Sequence, residues 1–439
     1  MKIAGADPDF QRRDLFEAID SGDFPEWELG IQAFDEAFAD SLPFDVLDPT
    51  KIIPEELLPV RMIGRMVLDR NPDNFFAETE QVAYCPANIV PGVDFTNYPL
   101  LQGRLFSYFD AQLKRLGSTN FHQLPINAPK CPFLNFQRDG HMQMQVPKGR
   151  ANYEPNSLAD AGEEGGPREC PETGFTSFPC RAEQEEQGDR LRIRPESFAD
   201  YYSQARMFFR SLDPAEQAHL ASALVFELSK VGLEHIRLRT LGNLVNVDPD
   251  LAGRVADGLG MAVPKASKPA APVLDLDPSP ALRIIGGPLE LDTLKGRKFG
   301  LLVADGSDAA TVNGVVAAIT KGGGTPFIVA PKVGGAKLSD GKMLKDDGQL
   351  AGSPSVLFDA VAVLLSKEGC ALLLKEGAAV QFVMDAFAHL KAIGHTKESQ
   401  PLLDKAGVEP DEGVVAAEGF AGAAGKRYWA REPGVRILA

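Results

Sequence analysis

Arg104, Tyr108 and Arg115 lie between Pro99 and Gly117, with the two arginines four residues before and seven residues after the tyrosine. At about 100° per residue the three fall within about 40° of one another on one helix face. A phenolate is a hard anionic donor that suits ferric iron, and tyrosine is one of the axial ligands used for haem iron. Free phenol ionises only near pH 10, so it needs help to be anionic at neutral pH. A cation one turn away, such as Arg104, favours the charged form. Arg115 would sit about 10 Å further along the helix than Tyr108, a reach that suits a carboxylate at the edge of a large planar ligand. The plain alternative is a core tyrosine beside solvated arginines, and on spacing alone that is the commoner outcome.

The helix carrying this stripe has its own punctuation: Asn97 or Tyr98 at the entry, Pro99 just inside, Gly117 just past the end. Upstream, residues 10–19 read as an amphipathic helix and residues 27–32 alternate like a half-buried strand. From about 43 to 195 the chain is irregular and rich in Pro, Asn and Phe. So long a loop-rich stretch is uncommon in a compact domain unless it wraps a buried cofactor or a neighbouring subunit. Residues 196–262 read as amphipathic helices, with starts signalled at Asp213-Pro214 and Asp248-Pro249. Five prolines between 264 and 280 mark a semi-rigid linker. Beyond it, strand patterns at 298–304, 326–329 and 360–365 alternate with helix patterns at 309–321 and 381–390, the rhythm of a doubly wound parallel sheet.

The 439 residues are 44% hydrophobic, enough for two or three cored domains. Net charge is −16, from 61 acidic and 45 basic residues, which argues against nucleic acid or an anionic membrane surface as partner. Cysteines occur at 85, 131, 170, 180 and 370 with no C-x-x-C, so neither a disulfide framework nor a zinc ribbon is expected. No apolar run reaches the ~18 residues of a membrane span, and a cytoplasmic setting is expected. The glycines at 287 and 322–324 form no phosphate-binding fingerprint.

Gln102-Gly103-Arg104-Leu105-Phe106-Ser107-Tyr108 resembles the proximal ligand signature of haem catalases. The segments 71–78, 91–95 and 135–140 resemble that family too. The order of helical domain, Pro-rich linker and terminal α/β domain is similar to its large-subunit branch. The resemblance implies an α+β multidomain chain. Residues 1–50 would be a remnant of the catalase β-barrel, and 51–195 a wrapping loop with the proximal helix. A helical domain would span 196–262 and a linker 263–285. Residues 286–439 would form a flavodoxin-like α/β domain similar to class I glutamine amidotransferases. It implies haem, of b or d type, with Tyr108 as axial ligand, Arg104 as its hydrogen-bonded cation and Arg115 on a propionate. It further implies hydrogen peroxide as substrate, disproportionated to water and oxygen, and a homotetramer.

Two departures accompany the match. Cys85 lies 23 residues before Tyr108, where some large-subunit catalases carry a histidine bonded covalently to the tyrosine. Cys85 is thus a candidate for covalent modification, with an ordinary small buried thiol the simpler expectation. None of His122, His141, His219, His235, His389 and His395 matches the family's distal histidine, and Asp7-Pro8-Asp9-Phe10-Gln11-Arg12-Arg13 resembles a segment well inside its catalytic domain. The expectation is therefore a C-terminal portion of a large-subunit catalase, without the distal histidine and asparagine, and of little activity alone. In the α/β domain, the stretch 390–396 stands where amidotransferases carry a nucleophilic cysteine and has none, while Cys370 falls at a helix start. The alternative reading is a non-enzymatic stability or assembly module built from the helical and α/β domains.

Overall fold

A computed structural model describes residues 2–89, 93–96, 98–130, 138–149, 196–287 and 292–435. Asn97, Pro91, Gly92, Asn135, Phe136, Gln137, Cys131, Cys170, Cys180 and the whole of 150–195 lie outside the described residues. The chain forms two compact units, one of residues 1–32, 53–69 and 200–439, the other of 33–52 and 70–199.

The first unit contains the parallel sheet. Its strands are β3 (Lys298–Val303), β4 (Thr325–Ala330), β7 (Gly348–Gln349), β8 (Ala360–Leu364), β9 (Ile393–His395) and β10 (Val414–Ala416), in the order β10-β9-β8-β3-β4-β7. A separate two-residue pair, β5 (Ala336–Lys337) and β6 (Met343–Leu344), is antiparallel. Sheet neighbours pair in parallel, and without the two-residue β7 the order is 2-1-3-4-5. Strands covered on both faces read as continuous apolar runs, and every residue of β8 is buried. Alternate residues serve opposite faces. Leu301 and Val303 pack with Val312, Val315 and Ile319 of helix Ala309–Lys321, while Leu302 and Val363 pack with Phe382, Val383 and Leu402. Each large apolar side chain so buried contributes about 1.5–3 kcal/mol.

The helical stretch contains helices Ser203–Ser211, Pro214–Ser229, Glu234–Val247 and Pro249–Gly258, the second and fourth beginning at the expected Asp-Pro starts. Asp213 accepts from the Ala215 amide and Glu216 accepts back from the Asp213 amide, a reciprocal capping box. Asp248 accepts from the Asp250 amide at 2.9 Å. Phe209, Leu241, Leu251 and Val255 form their core. The proline-rich stretch is held against these helices. The amide of Ser267 donates to Gly242 O, that of Leu274 to Ser203 Oγ and that of Ser279 to Ser211 Oγ. The amides of Ile284 and Ile285 both reach Glu216 Oε1, at 2.9 and 3.1 Å. Proline lacks an N–H, so the strap is sewn down by the residues between prolines.

The same unit holds an antiparallel ribbon of β1 (Glu26–Ile31) and β2 (Arg61–Val67), with a bulge between Leu29 and Gly30. Only β1 is legible as a strand, because Arg61-Met62-Ile63-Gly64-Arg65-Met66-Val67 has no clean two-residue alternation.

In the second unit the helix Pro99–Leu116 runs to Gly117, whose φ of 75° supplies the left-handed C-cap that glycine adopts without cost. A π-helical turn, Phe76–Glu80, and a short helix, Glu36–Ser41, precede it. Among the described residues no helix is long and apolar enough to cross a membrane.

Candidate functional site

Helix Pro99–Leu116 brings Arg104 and Tyr108 together. Arg104 Nη2 donates to the Tyr108 hydroxyl at 3.1 Å, and the guanidinium carbon stands 5.0 Å from the ring centroid. Both side chains are half-buried. Arg104 is the one hydrogen-bond partner of the phenol oxygen among the described residues. A phenol oxygen has two lone pairs, so one remains for a metal after the arginine is accommodated.

Arg115 is on the same stripe and is already engaged. Its Nη1 donates to Glu80 O at 2.5 Å and its Nη2 to Val82 O at 2.6 Å. Nε and Nη2 both reach Gln112 Oε1, at 3.1 and 2.6 Å. The Gln112 amide nitrogen donates to Tyr84 O at 3.1 Å. Asn127 holds the same segment from its other side, accepting from the Ala83 amide and donating to Gln81 O. Gln112 was legible in principle, since it falls four residues after Tyr108, but glutamine in a helix carries no chemical signal by itself.

Cys85, one residue beyond the Tyr84 carbonyl, is half-buried and free. Cys370 lies inside helix Lys367–Leu373, 2% exposed, and burial pushes its thiol up from the ordinary value. That is the opposite of an activated nucleophile. The stretch 390–396 forms the approach to β9 and the turn after it. There Thr396 and Ser399 hydroxyls bond each other at 2.7 Å and satisfy Leu365 O and Val363 O.

The histidines are dispersed. His141 and His235 are exposed. His122 packs edge-on to Phe121, and His219 Nε2 pairs with Glu432 Oε1 at 2.8 Å. An open depression of about 660 Å³ lies at the helix's far end, lined by Leu113, Gly117, Ser118, Thr119, Gly140 and His141, away from Tyr108. Among the described residues no His, Cys, Asp and Glu cluster could hold a metal ion. The donor set on the Pro99–Leu116 helix does fit a ferric porphyrin: a hard oxygen with a lone pair to spare, a cation bonded to it, and Arg115 further along the stripe.

Comparison with known proteins gives three matches in chain order. The Catalase family model matches residues 1–160. The model for Catalase-related immune-responsive proteins matches residues 195–259, and that for the C-terminal domain found in long catalases matches residues 295–427. Catalase C of Rhizobium meliloti is 54% identical across 100% of this chain and 62% of its own length. Catalase HPII of Pseudomonas putida is 47% identical across 98% of this chain and 61% of its own. Catalase HPII of Pseudomonas aeruginosa is 43% identical, across 100% and 62%. The chain thus spans about three fifths of the length of these relatives. Three family models in sequence, with close similarity from end to end of the chain, place it in the catalase family, among its large-subunit members.

Proposed function

We propose that this chain supplies the proximal side of a haem catalase that converts hydrogen peroxide to water and oxygen. The observation that carries the reading is the 3.1 Å hydrogen bond from Arg104 to the Tyr108 hydroxyl on the helix Pro99–Leu116. When bound, haem would supply a ferric centre able to give two electrons to one peroxide and recover them from another. Tyr108 holds the iron through its phenol oxygen. Arg104 holds its positive charge against that oxygen, which favours the phenolate, and fixes the ring's orientation. Arg115 offers a ring-edge carboxylate its remaining N–H. Cys85 is the candidate for covalent modification, one residue past a carbonyl tied to the Tyr108 helix. The same reading includes haem of b or d type, a cytoplasmic homotetramer, a partial barrel contributed by β1 and β2, and a flavodoxin-like, amidotransferase-like α/β domain. The strand order 2-1-3-4-5 supports that last likeness.

The test is spectroscopic. In the haem-loaded protein, Tyr108→Phe should abolish the high-spin tyrosinate spectrum, and an unchanged spectrum removes Tyr108 as ligand. A second reading, a stability or assembly module without catalysis, is favoured by the distribution of burial. Among the described residues, all of the largest fully buried side chains lie between 207 and 420. Under that reading limited proteolysis leaves 286–439 intact while residues 1–195 are lost, whether or not haem is present. Haem-dependent protection of the 99–116 helix would exclude it.

A further inference from the structure

Gln112 is the one buried residue of helix Pro99–Leu116. At about 100° per residue it projects about 40° from Tyr108 and about 60° from Arg115, just beyond the edge of the Arg104 and Arg115 stripe. A buried carboxamide is costly unless its polar atoms are satisfied, and here both ends are. Oε1 accepts twice from Arg115, and Nε2 donates to Tyr84 O. Its orientation follows from chemistry, because guanidinium only donates and a carbonyl only accepts. Exchanging oxygen and nitrogen would set donor against donor on one side and acceptor against acceptor on the other.

The consequence for Arg115 can be counted. Guanidinium has five N–H groups. Nε uses one on Gln112, Nη2 uses two on Gln112 and Val82 O, and Nη1 uses one on Glu80 O. One N–H, on Nη1, has no partner among the described residues. The carbonyls of 80, 82 and 84 are taken in order by 115, 115 and 112, so this segment runs antiparallel to the helix and leads Cys85 toward the Tyr108 turn.

We infer that Gln112 is a positioning residue for the Tyr108 site. Its amide fixes the plane of the Arg115 guanidinium and, with it, clasps the 80–84 segment to the helix. Arg115 is left a single directed donor for a ring-edge carboxylate, a one-point contact in place of a two-point fork. This rests on the reading of Tyr108 as iron ligand, which the Tyr108→Phe spectrum tests separately.

The experiment compares Gln112→Leu and Gln112→Glu in the haem-loaded protein, following haem loss to excess apomyoglobin and the tyrosinate band. Hydrogen exchange at the amides of Gln81, Val82 and Ala83 is followed in the haem-free chain. Gln112→Leu should keep the tyrosinate band, lose haem about tenfold faster, the scale of one hydrogen bond to a charged group, and exchange faster at 81–83. Gln112→Glu keeps an acceptor for Arg115 and removes the donor to Tyr84 O. It should restore slow haem loss while leaving exchange at 81–83 fast. Unchanged haem loss in Gln112→Leu with the band intact overturns the inference. So does Gln112→Glu behaving like Gln112→Leu in haem loss, since packing alone would then explain both. If Gln112→Leu does not fold, unchanged exchange at 81–83 in Gln112→Glu overturns it equally.

Discussion

Lys391 gives the sharpest test of how the α/β sheet is held. Its side chain is 4% exposed, and Nζ donates to Ser355 O at 2.7 Å and to Phe358 O. Burial, reinforced by the positive charge of Arg427, pulls the ammonium down to about 7, while Asp359 and Asp385 pull the other way. In the unfolded chain the group titrates near 10.4. The folded state therefore binds fewer protons than the unfolded state across this window. Stability must rise as pH climbs from about 7 toward about 10, with the full penalty present below 7. At about 1.4 kcal/mol per unit, moving from pH 7 to pH 9 gains roughly 2–3 kcal/mol. The sequence has two tryptophans, and Trp27→Phe leaves Trp429 as sole reporter. Trp429 sits two residues from Arg431, which donates to Lys391 O at 3.0 Å. Urea unfolding at pH 7 and pH 9, in that background and with Lys391→Met added, isolates the slope. The parent should gain stability over the interval, and Lys391→Met should lose that part of the gain. Equal slopes in the two proteins would refute the argument.

Other outcomes follow from single contacts. Glu216→Ala removes the acceptor shared by the Asp213, Ile284 and Ile285 amides and should destabilise the helical part by about 2 kcal/mol in urea. Burial raises the Glu216 carboxyl, but those amides and the Arg283 charge outweigh it and hold it below its ordinary value. The contribution is complete above about pH 4.5 and lost as pH falls below that, so parent and Glu216→Ala should converge in acid. Gly300→Ala would set a Cβ 2.4 Å from the Phe358 ring and should cost about 1–3 kcal/mol by the same assay. Alkylation of the native protein with peptide mapping should label Cys85 and spare Cys370. A Cys85 peptide that resists labelling and has lost hydrogen in mass would instead mark a cross-link.

Much of the scaffold could be read from the chain because local and tertiary preferences agree. Helix Ala309–Lys321 begins behind Asp308, which caps Thr311, and presents Val312, Val315 and Ile319 to the sheet. Pro99 and Gly117 bracket their helix as the two residue types predict. What escaped reading depends on partners distant in sequence. β2 becomes a strand because β1 pairs with it from thirty or more residues away, and its own pattern gives no hint. The proline-rich strap is ordered by Ser203, Ser211 and Glu216 of the helices it crosses. Lys391 looks like a surface lysine until the turn at 355–358 closes over it. At the site, Arg104 and Tyr108 were visible because an i, i+4 pair must meet on a helix. The engagement of Arg115 was not, since main-chain carbonyls at 80 and 82 have no sequence signature.

The contrast between the two units bears on how the site works. The sheet is held by side chains with no exposure, such as Leu301, Leu302 and Val363, and apolar burial is indifferent to small rotations. Helix Pro99–Leu116 has a polar residue as its one buried side chain, and hydrogen bonds to the carbonyls of 80, 82 and 84 hold it to the segment beside it. Hydrogen bonds weaken steeply with misalignment, so such a clasp sets the helix's rotation about its axis, the coordinate that aims Tyr108. A ligand oxygen has to meet its metal at one angle, and a directional clasp meets that demand where a greasy contact would not. Arg115→Lys keeps the charge and loses the fork. It should therefore loosen the clasp, at a cost of about 1–2 kcal/mol, and broaden the tyrosinate band, and a sharp, unshifted band in that variant would show that Tyr108 is aimed by something else.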